Sequence, residues 1–512
     1  MTTSSSTKHW LSSPVGANLL SQIGGDPGLP QPLPTTSSWQ LPAHPEVASL
    51  QSEQLPPATD FLVIGSGIAG CGVARTLLSR SKSAKVTILE ARTLCSGATG
   101  RNGGQLVKPY APRFAQLAKD FGIETAVQVA RLALYTLEEM HGLARSYDAD
   151  LQREANARRV VKRVVYMDQK SWEEAEAAVD LYETHVPEEK GSIERVPLSR
   201  IESEWNVKGG FGGYQFNAGV CWPYRLVTGV FKRLRDQYPD RLSIETKTPA
   251  TQILYDNTTP EYPYQVVTPR GIIHARNVIY CNNGHVGHLL PRLRGKIWPM
   301  RGTMSAQEVR PSFPDYSNEY SWSFLSNMAY DATSKTINMG WWYGLQNAPN
   351  GDFWIGGENK RVEDIWTADD SVIGDHNRAS VENILPKVFN DKVVPSKPRI
   401  RGMWTGVMAA TADALPFVGR LPSSVTDRPG TGEWIVAGWN SYGMTNGLTC
   451  GEALARMVLG GDAPAWFPKV YLPTEQRLNA ANMSSEAATM QFLEESGIGR
   501  TLESPEVLQA KL

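Results

Sequence analysis

The sequence predicts an α/β fold with a doubly wound sheet. Three observations at residues 60–90 predict it. An apolar run of strand type, Phe61–Ile64, comes first; a glycine-rich turn followed by apolar residues at helical spacing comes next; a second apolar strand, Lys85–Leu89, ends at Glu90. A strand, a turn, a helix and a parallel strand form the βαβ unit from which doubly wound sheets are built.

The glycine-rich turn reads Gly65-Ser66-Gly67-Ile68-Ala69-Gly70 and fits the GxGxxG pattern. Gly65 permits the tight turn, Gly67 lets the backbone approach a pyrophosphate, and Gly70 lets the helix pack close to the strand. The helix N-terminus offers unpaired N–H groups and the positive end of its dipole to phosphates. Glu90 stands where a carboxylate accepts hydrogen bonds from an adenosine ribose. These seven residues are predicted to bind a dinucleotide, and the motif alone leaves NAD and FAD open.

Composition narrows the class of protein. The 512 residues suffice for two or more lobes, and 41% hydrophobic with 20% charged residues excludes global disorder. A net charge of -1 gives no overall attraction to nucleic acid. The five cysteines lack CxxC spacing and the eight histidines lack HxH or HExxH spacing, so neither a disulfide framework nor a metal site is expected. No apolar run of about 18–20 residues predicts a membrane span.

The two ends of the chain differ from the middle. Residues 1–58 are rich in Ser, Pro, Thr and Gln, which predicts a flexible or loosely docked arm that Trp10 and Trp39 pin to the body. The arm has no features of a secretory signal. The polar tail, residues 466–512, ends in Ala510-Lys511-Leu512, a variant of the S-K-L address that a peroxisomal import receptor reads. We expect a peroxisomal location on this basis, and a cytoplasmic one if the tripeptide arose by chance.

The loop after Glu90 carries a family resemblance. Residues 90–92 read EAR and residues 95–105 read CSGATGRNGGQ. This pattern resembles the FAD-dependent oxidoreductases of the D-amino-acid oxidase superfamily, in the branch of sarcosine oxidase and gamma-glutamylputrescine oxidase, and especially fungal members. The resemblance implies FAD as cofactor and assigns contacts along it to Ala91, Arg92, Ser96, Gly97, Arg101, Asn102, Gly103, Gly104 and Gln105. An alternative role for Arg101 is to clamp a substrate carboxylate.

Later segments extend the resemblance over about residues 58–465. They include ARNVIYCNNGH at 275–285, RGMWTGVMAATADALPFVG at 401–419 and a glycine-rich turn that opens a helix after residue 438. In the family, that helix N-terminus stabilises the reduced flavin. By resemblance the further FAD contacts are Ala250, Asn283, Gly284, Trp404, Gly406, Asp413, Gly438, Tyr442, Gly443 and Met444.

The same resemblance implies two interleaved domains. The FAD-binding domain takes residues 59–110, 216–302 and 401–465, and a substrate domain on a mixed sheet takes residues 111–215 and 303–400. The second substrate segment is dense in aromatic residues, and strand alternation puts Trp341 and Tyr343 on one face and Trp342 on the other. We expect Tyr343 and Tyr330 to face the substrate.

Two details of the flavin chemistry are also expected. Family members use a lysine near the flavin to help reduce oxygen, and Lys108 and Lys296 are the candidates here. The residues 408–411 contain no cysteine that could attach the flavin, so the FAD is predicted to be non-covalent.

The leading hypothesis is an oxidase that converts a C–N bond of a secondary amine or amino acid to an imine and reduces O2 to H2O2. The second is a tailoring oxidase or dehydrogenase that acts on a natural-product intermediate with another electron acceptor. The third is a non-catalytic flavoprotein that uses the fold for binding.

Overall fold

A computed structural model describes residues 5–108, 110–357 and 359–502. Its strands are β1 (Ala58–Ile64), β2 (Val86–Leu89), β3 (Gln105–Leu106), β4 (Arg158–Tyr166), β5 (Ile193–Val196), β6 (Gly212–Val220), β7 (Leu242–Glu245), β8 (Gln252–Tyr255), β9 (Tyr264–Thr268), β10 (Gly271–Tyr280), β11 (Ile297–Glu308), β12 (Tyr320–Leu325), β13 (Ala329–Asp331), β14 (Thr336–Asn338), β15 (Trp341–Gln346), β16 (Phe353–Gly356), β17 (Asn359–Arg361), β18 (Arg399–Thr411), β19 (Phe417–Arg420) and β20 (Glu433–Ala437).

Its helices are α1 (Ser5–Ser12), α2 (Pro14–Gly24), α3 (Ile68–Arg80), α4 (Ala111–Phe121), α5 (Ile123–Arg145), α6 (Ala149–Ala155), α7 (Gln169–His185), α8 (Leu198–Glu204), α9 (Pro223–Gln237), α10 (Val286–Leu289), α11 (Asp375–Glu382), α12 (Ile384–Val388), α13 (Ser423–Thr426), α14 (Gly443–Val458), α15 (Glu475–Leu478), α16 (Ser485–Glu495) and α17 (Ile498–Leu502). Among these described helices none is long and apolar enough to cross a membrane.

The first sheet confirms the doubly wound α/β prediction. Its strand order is β19-β20-β10-β1-β2-β7, and β20, β10, β1, β2 and β7 run parallel. β8 and β9 extend it as an antiparallel flap on β10. The four residues of β2 are all buried, as expected for a parallel strand covered on both faces.

The second sheet is mixed and has the order β18-β11-β16-β15-β12-β4-β6-β3, with β5 paired to β6. β12 and β4 are parallel, and β11 pairs with β18 along nearly its whole length. Residues 216, 302 and 401, which the sequence analysis takes as domain boundaries, fall inside β6, β11 and β18, and all three strands belong to this second sheet.

The described part of the N-terminal arm packs on the body, and Trp10 and Trp39, which are expected to pin it there, both contact the body. Leu19 and Ile23 of α2 are fully buried, and α2 packs on α16. Trp39 is 1% exposed, and its indole N–H donates to the carbonyl of Asn102 at 2.5 Å. A few buried apolar side chains fix a segment that is otherwise rich in polar residues and proline.

The C-terminal tail docks as well, since Phe492 and Leu493 of α16 are buried against the arm and the first sheet. The predicted import tripeptide, Ala510-Lys511-Leu512, lies outside the described residues.

Candidate active site

A cavity of about 590 Å³ lies between the carboxyl ends of the first sheet's strands and the second sheet. The carboxyl edge is where doubly wound folds bind their ligands, and the volume lies within the roughly 300–1,000 Å³ of cofactor and ligand sites. Predicted site residues that line the cavity are Gly65, Ser66, Gly67, Ile68, Ala69, Glu90, Ala91, Arg92, Gly97, Arg101, Asn102, Gly103, Gln105, Ala250, Asn283, Gly284, Tyr343, Gly406, Tyr442, Gly443 and Met444.

Two helices point their N-termini at the cavity. α3 follows β1 through the glycine-rich turn, and α14 begins at Gly443 shortly after β20. Gly67 has no side chain with which to cap α3, and the side chain of Tyr442 makes no capping bond to α14 within the described chain. The cavity therefore receives the positive ends of two helix dipoles, which suits phosphates and a ring that gains negative charge.

The two helices are held together by glycines. A side-chain carbon on Gly72 of α3 would come within 2.4 Å of the carbonyl oxygen of Leu448, and one on Gly451 of α14 within 2.5 Å of that of Ala69. Contact at this distance requires glycine on both helices. The close packing fixes the spacing of the two N-termini along the cavity.

Glu90 lies at the end of β2 with its carboxylate at the cavity wall. One oxygen accepts from the hydroxyl of Ser66 at 2.6 Å and the other from the backbone N–H of Arg92 at 3.0 Å. The first oxygen also accepts the backbone N–H of Ser66 at 3.3 Å, whereas the second keeps a lone pair for a ligand hydroxyl. Gly65, the first glycine of the glycine-rich turn, has φ +109, and a side-chain carbon there would lie 2.8 Å from the carbonyl oxygen of Cys281. The turn therefore requires glycine at this position.

A strip without side chains crosses the second sheet's side of the cavity. Gly302 of β11 and Gly406 of β18 are cross-strand partners, and both line the cavity. The ring of Tyr343, on β15 of the same sheet, also lines the cavity, and a side-chain carbon on Gly103 would approach it within 2.6 Å. We call the space over the two glycines beside this ring the flat slot, because the missing side chains leave room there for a planar ring system.

Several predicted contacts support the cavity wall from behind. The indole N–H of Trp404 donates to the carbonyl of Arg101 at 2.8 Å, and the N–H of Gly438 donates to the side-chain oxygen of Asn283 at 3.0 Å. Ser96 accepts the Nε–H of Arg101 on its carbonyl at 2.7 Å. Gly70 and Gly104 allow close packing of the turn and of the loop that follows it. The residues that shape the site in this way without lining the cavity are Gly70, Ser96, Gly104, Trp404 and Gly438.

Asp413 is not at the cavity, contrary to prediction. Its carboxylate forms an ion pair with Arg477 at 2.7 Å, and both side chains are nearly buried. The carboxylate also accepts the backbone N–H of Leu415. The T-x-D segment therefore has a structural role here, in fixing the turn between β18 and β19.

Both candidate lysines and one of the tyrosines expected at the catalytic site lie elsewhere. Lys108 is buried against Glu189 and the hydroxyl of Ser192, where burial lowers its pKa and Glu189 opposes the shift. Lys296 donates to the carbonyl of Met483. Tyr330 packs in the three-stranded sheet of β13, β14 and β17. None of the three lines the cavity.

Arg101 does line the cavity, but its guanidinium is engaged by the protein. Besides Ser96, it donates to the carbonyls of Thr35 and Thr405, both at 2.8 Å, and lies 3.7 Å from Asp370. Burial lowers its pKa to about 10. These bonds oppose the alternative role of a substrate clamp and make Arg101 a part of the scaffold.

The sequence analysis missed the polar end of the cavity beside the flat slot. Tyr110, Arg113, Tyr166 and Ser323 line it, next to Tyr442 at the start of α14. The hydroxyl of Tyr110 lies 2.9 Å from that of Ser323, and burial raises the pKa of both Tyr110 and Tyr166. The Pro-Arg pair that opens α4 soon after the glycine-rich loop was the available signal for Arg113.

Arg113 is a half-buried cation with unused donors. Its Nη2 donates to the carbonyl of Ala414 at 2.5 Å, whereas Nε and Nη1 have no hydrogen-bond partner among the described residues. The charge acts on Tyr442, whose pKa burial raises and Arg113 lowers. An anion that enters this end of the cavity would meet a guanidinium ready to bind it.

The cavity fits the FAD that the resemblance implies. Two lining residues, Arg92 and Asn282, keep buried polar atoms, Nε and Oδ1, without a hydrogen-bond partner in the described chain. Buried groups of this kind ordinarily have partners, which a bound ligand supplies. The α3 N-terminus and Glu90 would hold the adenosine and pyrophosphate half, and the flat slot with the α14 N-terminus would hold the flavin.

Comparison with known proteins agrees with this geometry. The profile of the DAO family, described as FAD dependent oxidoreductase, matches residues 60–457. Gamma-glutamylputrescine oxidoreductase from Escherichia coli strain K12 is 22% identical over 445 residues, which cover 86% of this chain and 92% of that protein.

Solved structures share the fold. Glycine oxidase from Geobacillus kaustophilus superposes with a TM-score of 0.62 at 14% identity, over 82% of this chain and 99% of that one. L-proline dehydrogenase from P. horikoshii gives a TM-score of 0.59 at 16% identity, over 82% and 98%. The chain is thus an FAD-dependent oxidoreductase and belongs to the DAO family.

Proposed function

We propose that this enzyme oxidises the C–N bond of an amino acid or of a secondary amine that bears a carboxylate. The CH–NH group loses two electrons and two protons to become an imine, O2 takes them up as H2O2, and water then hydrolyses the imine. The observation that carries the proposal is Arg113, a cation with free donors at the polar end of the cavity, next to the slot that fits the flavin.

Arg113 would fix the substrate by its carboxylate. Its Nε and Nη1 can donate two parallel hydrogen bonds, the geometry in which guanidinium binds carboxylate best. Holding one end of a small substrate orients the C–H next to nitrogen toward the slot, and this orientation is a large part of what such an enzyme contributes. Two fold neighbours bear the names glycine oxidase and L-proline dehydrogenase, which also denote amino-acid substrates.

Aromatic side chains would enclose the amine. Trp341 and Tyr343 of β15 both line the cavity, whereas Trp342 packs into the core on the other face, so the alternation predicted for this strand is confirmed. Tyr110 and Tyr166 complete the wall, and because burial raises their pKa they stay neutral at physiological pH. The wall excludes water and offers ring faces to a cationic amine.

FAD, when bound in the cavity, would supply the acceptor for the electron pair and the redox chemistry with oxygen. The residues of the chain bind, orient and shield, and the α14 N-terminus offers positive potential at the flavin slot. Lys108 and Lys296 lie away from the cavity, so we assign neither lysine to the reduction of oxygen.

A matched-pair experiment tests the proposal. The purified enzyme is mixed without oxygen with a panel of amino acids, each paired with the amine that remains when its carboxylate is removed. We expect at least one amino acid to reduce the flavin while its paired amine reduces it about 100-fold more slowly. Readmitted oxygen should restore the oxidised flavin and release one H2O2 per flavin.

Two results would oppose the proposal in different ways. Equal reduction by both members of every pair would show that no carboxylate is recognised. A flavin that substrate reduces, that oxygen reoxidises slowly and that another electron acceptor reoxidises fast would indicate a dehydrogenase.

A further inference from the structure

Part of the N-terminal arm borders the cofactor cavity. Gly28, Leu29 and Pro30 line it, although residues before 60 lie outside the match to the family profile. We call residues Asp26–Gln31 the strap. The dinucleotide-binding pattern of strand, turn and helix does not require such a segment.

The strap crosses the carboxyl edge of the first sheet above the glycine-rich turn. The carbonyl of Gly28 accepts from Nδ1 of His285, which follows β10, at 3.1 Å, and the carbonyl of Gln31 accepts from Nη1 of Arg92, which follows β2, at 3.4 Å. β1 lies between β10 and β2. The strap therefore passes over the end of β1 and the glycine-rich turn that follows it. Glu90, the residue expected to bind the ribose, lies at the same end of the cavity.

The chain is fixed to the body at the start of the strap and again beyond its end. At the start, Asp26 pairs with Nη2 of Arg294 at 2.7 Å and with Nδ1 of His288 at 3.1 Å. Beyond Gln31, the N–H of Thr35 donates to the carbonyl of Asp370 at 2.8 Å, and Arg101 donates to the carbonyl of Thr35. The segment between these anchors is therefore tethered at both ends, unlike a free terminal tail.

Few hydrogen bonds hold the middle of this segment in the described chain. Asp26 accepts the N–H of Gly28 in a tight turn, and the two bonds from His285 and Arg92 tie the strap to the cavity wall. Residues 27–31 are partly buried, and Leu33, just beyond the strap, is 82% exposed. Leu19, Ile23 and Trp39 are buried on either side, so motion of the strap need not displace them.

We propose that the strap is a cofactor-retaining element that closes over the adenosine end of bound FAD and must lift before FAD can leave. The ion pair of Asp26 with Arg294 holds it shut. Its role is to retain the cofactor, and it does not depend on which substrate the flavin oxidises.

Cutting the arm in the folded holoenzyme tests this role. A site-specific protease sequence is inserted after Leu33 of the full chain, and FAD release is followed by the fluorescence of free flavin after dilution, before and after cleavage. We expect cleavage to speed release at least about tenfold, because the strap then has one anchor in place of two. The uncut protein is the matched control, and this readout needs no substrate.

A second variant covers the case in which the insertion disturbs folding. Asp26→Ala in the uncut chain should speed FAD release about three- to tenfold, whereas Asp391→Ala, which breaks an exposed ion pair with Lys208 elsewhere, should leave it unchanged. Release that changes less than about twofold in both the cut protein and Asp26→Ala would overturn the proposal. A protein that takes up no FAD would instead overturn the assignment of the cavity.

Discussion

Replacing Arg113 by methionine removes the guanidinium from the polar end of the cavity and keeps a side chain of similar length. Only Ala414 accepts a hydrogen bond from the Arg113 side chain among the described residues, so the structural loss is one bond to a backbone carbonyl. The stability of the protein should change little. The affinity for a substrate carboxylate should change much more.

The size of the effect follows from the free donors. Nε and Nη1 can each donate one charge-assisted hydrogen bond, and such a bond contributes about 1.5–3 kcal/mol. Arg113 is half-buried, so water competes and the lower value applies to each bond. The pair then contributes about 3 kcal/mol, which corresponds to roughly a 100-fold loss in kcat/KM.

The assay measures peroxide formation with the amino acid that reduces the flavin of the unmodified enzyme. Arg113→Met is compared with Arg131→Met, which removes an exposed arginine paired with Glu188 on the surface. We expect the loss in kcat/KM for the first variant and no change for the second. For the paired amine without a carboxylate, Arg113→Met should act about like the unmodified enzyme.

A loss smaller than about threefold for the amino acid, or an equal loss for the paired amine, would contradict this role of Arg113. The first result would mean that Arg113 does not contact the substrate. The second would mean that the substitution disturbs the cavity as a whole. The flavin spectrum of the variant separates these cases, because a disturbed cavity changes the spectrum.

Three further predictions concern the scaffold. Gly72→Ala should lower both the melting temperature and FAD retention, because its new carbon would lie 2.4 Å from the carbonyl of Leu448 and push α3 from α14; unchanged retention would contradict this. Lys108→Met should lower the free energy of unfolding by about 1–3 kcal/mol, since it removes the ion-pair partner of Glu189. The rate of flavin reoxidation by oxygen, measured by stopped flow, should stay the same. A large fall in that rate would show a catalytic role for Lys108. Burial lowers the pKa of His285 from 6.5 to about 4. As pH drops, the unfolded chain therefore takes up the proton before the folded protein does. The free energy of unfolding should fall by about 3 kcal/mol between pH 6.5 and pH 4. His285→Asn should weaken that dependence in denaturation measured across this range, and an identical pH dependence would rule out His285 as its source.

The cofactor half of the site could be predicted from local pattern. Gly65, Gly67 and Glu90 occupy positions whose spacing is set by a strand, a turn and a helix, and this spacing is local in sequence. The same holds for the strand alternation of Trp341 and Tyr343. Such features follow from a few residues and need no knowledge of the tertiary structure.

The substrate half and the arm could not be predicted in this way. Asp413 matches a family motif, but Arg477, some sixty residues later, captures its carboxylate. Lys108 is drawn away by Glu189, and Arg101 by carbonyls of Thr35 and Thr405. These outcomes depend on contacts between distant segments, which periodicity and composition do not encode. For the arm, Trp10 and Trp39 are the expected anchors, but its composition does not predict that Leu19 and Ile23 of α2 are buried.

The central claim is that this cavity holds FAD and uses it to oxidise an amino acid or carboxylate-bearing amine. The most direct measurement is the visible absorption of the purified enzyme during anaerobic addition of such substrates, followed by oxygen and a peroxide count. We expect a bound flavin that one of these substrates bleaches and that recovers with one H2O2 per flavin. A bound flavin that dithionite reduces but that no amino acid or amine bleaches would contradict it.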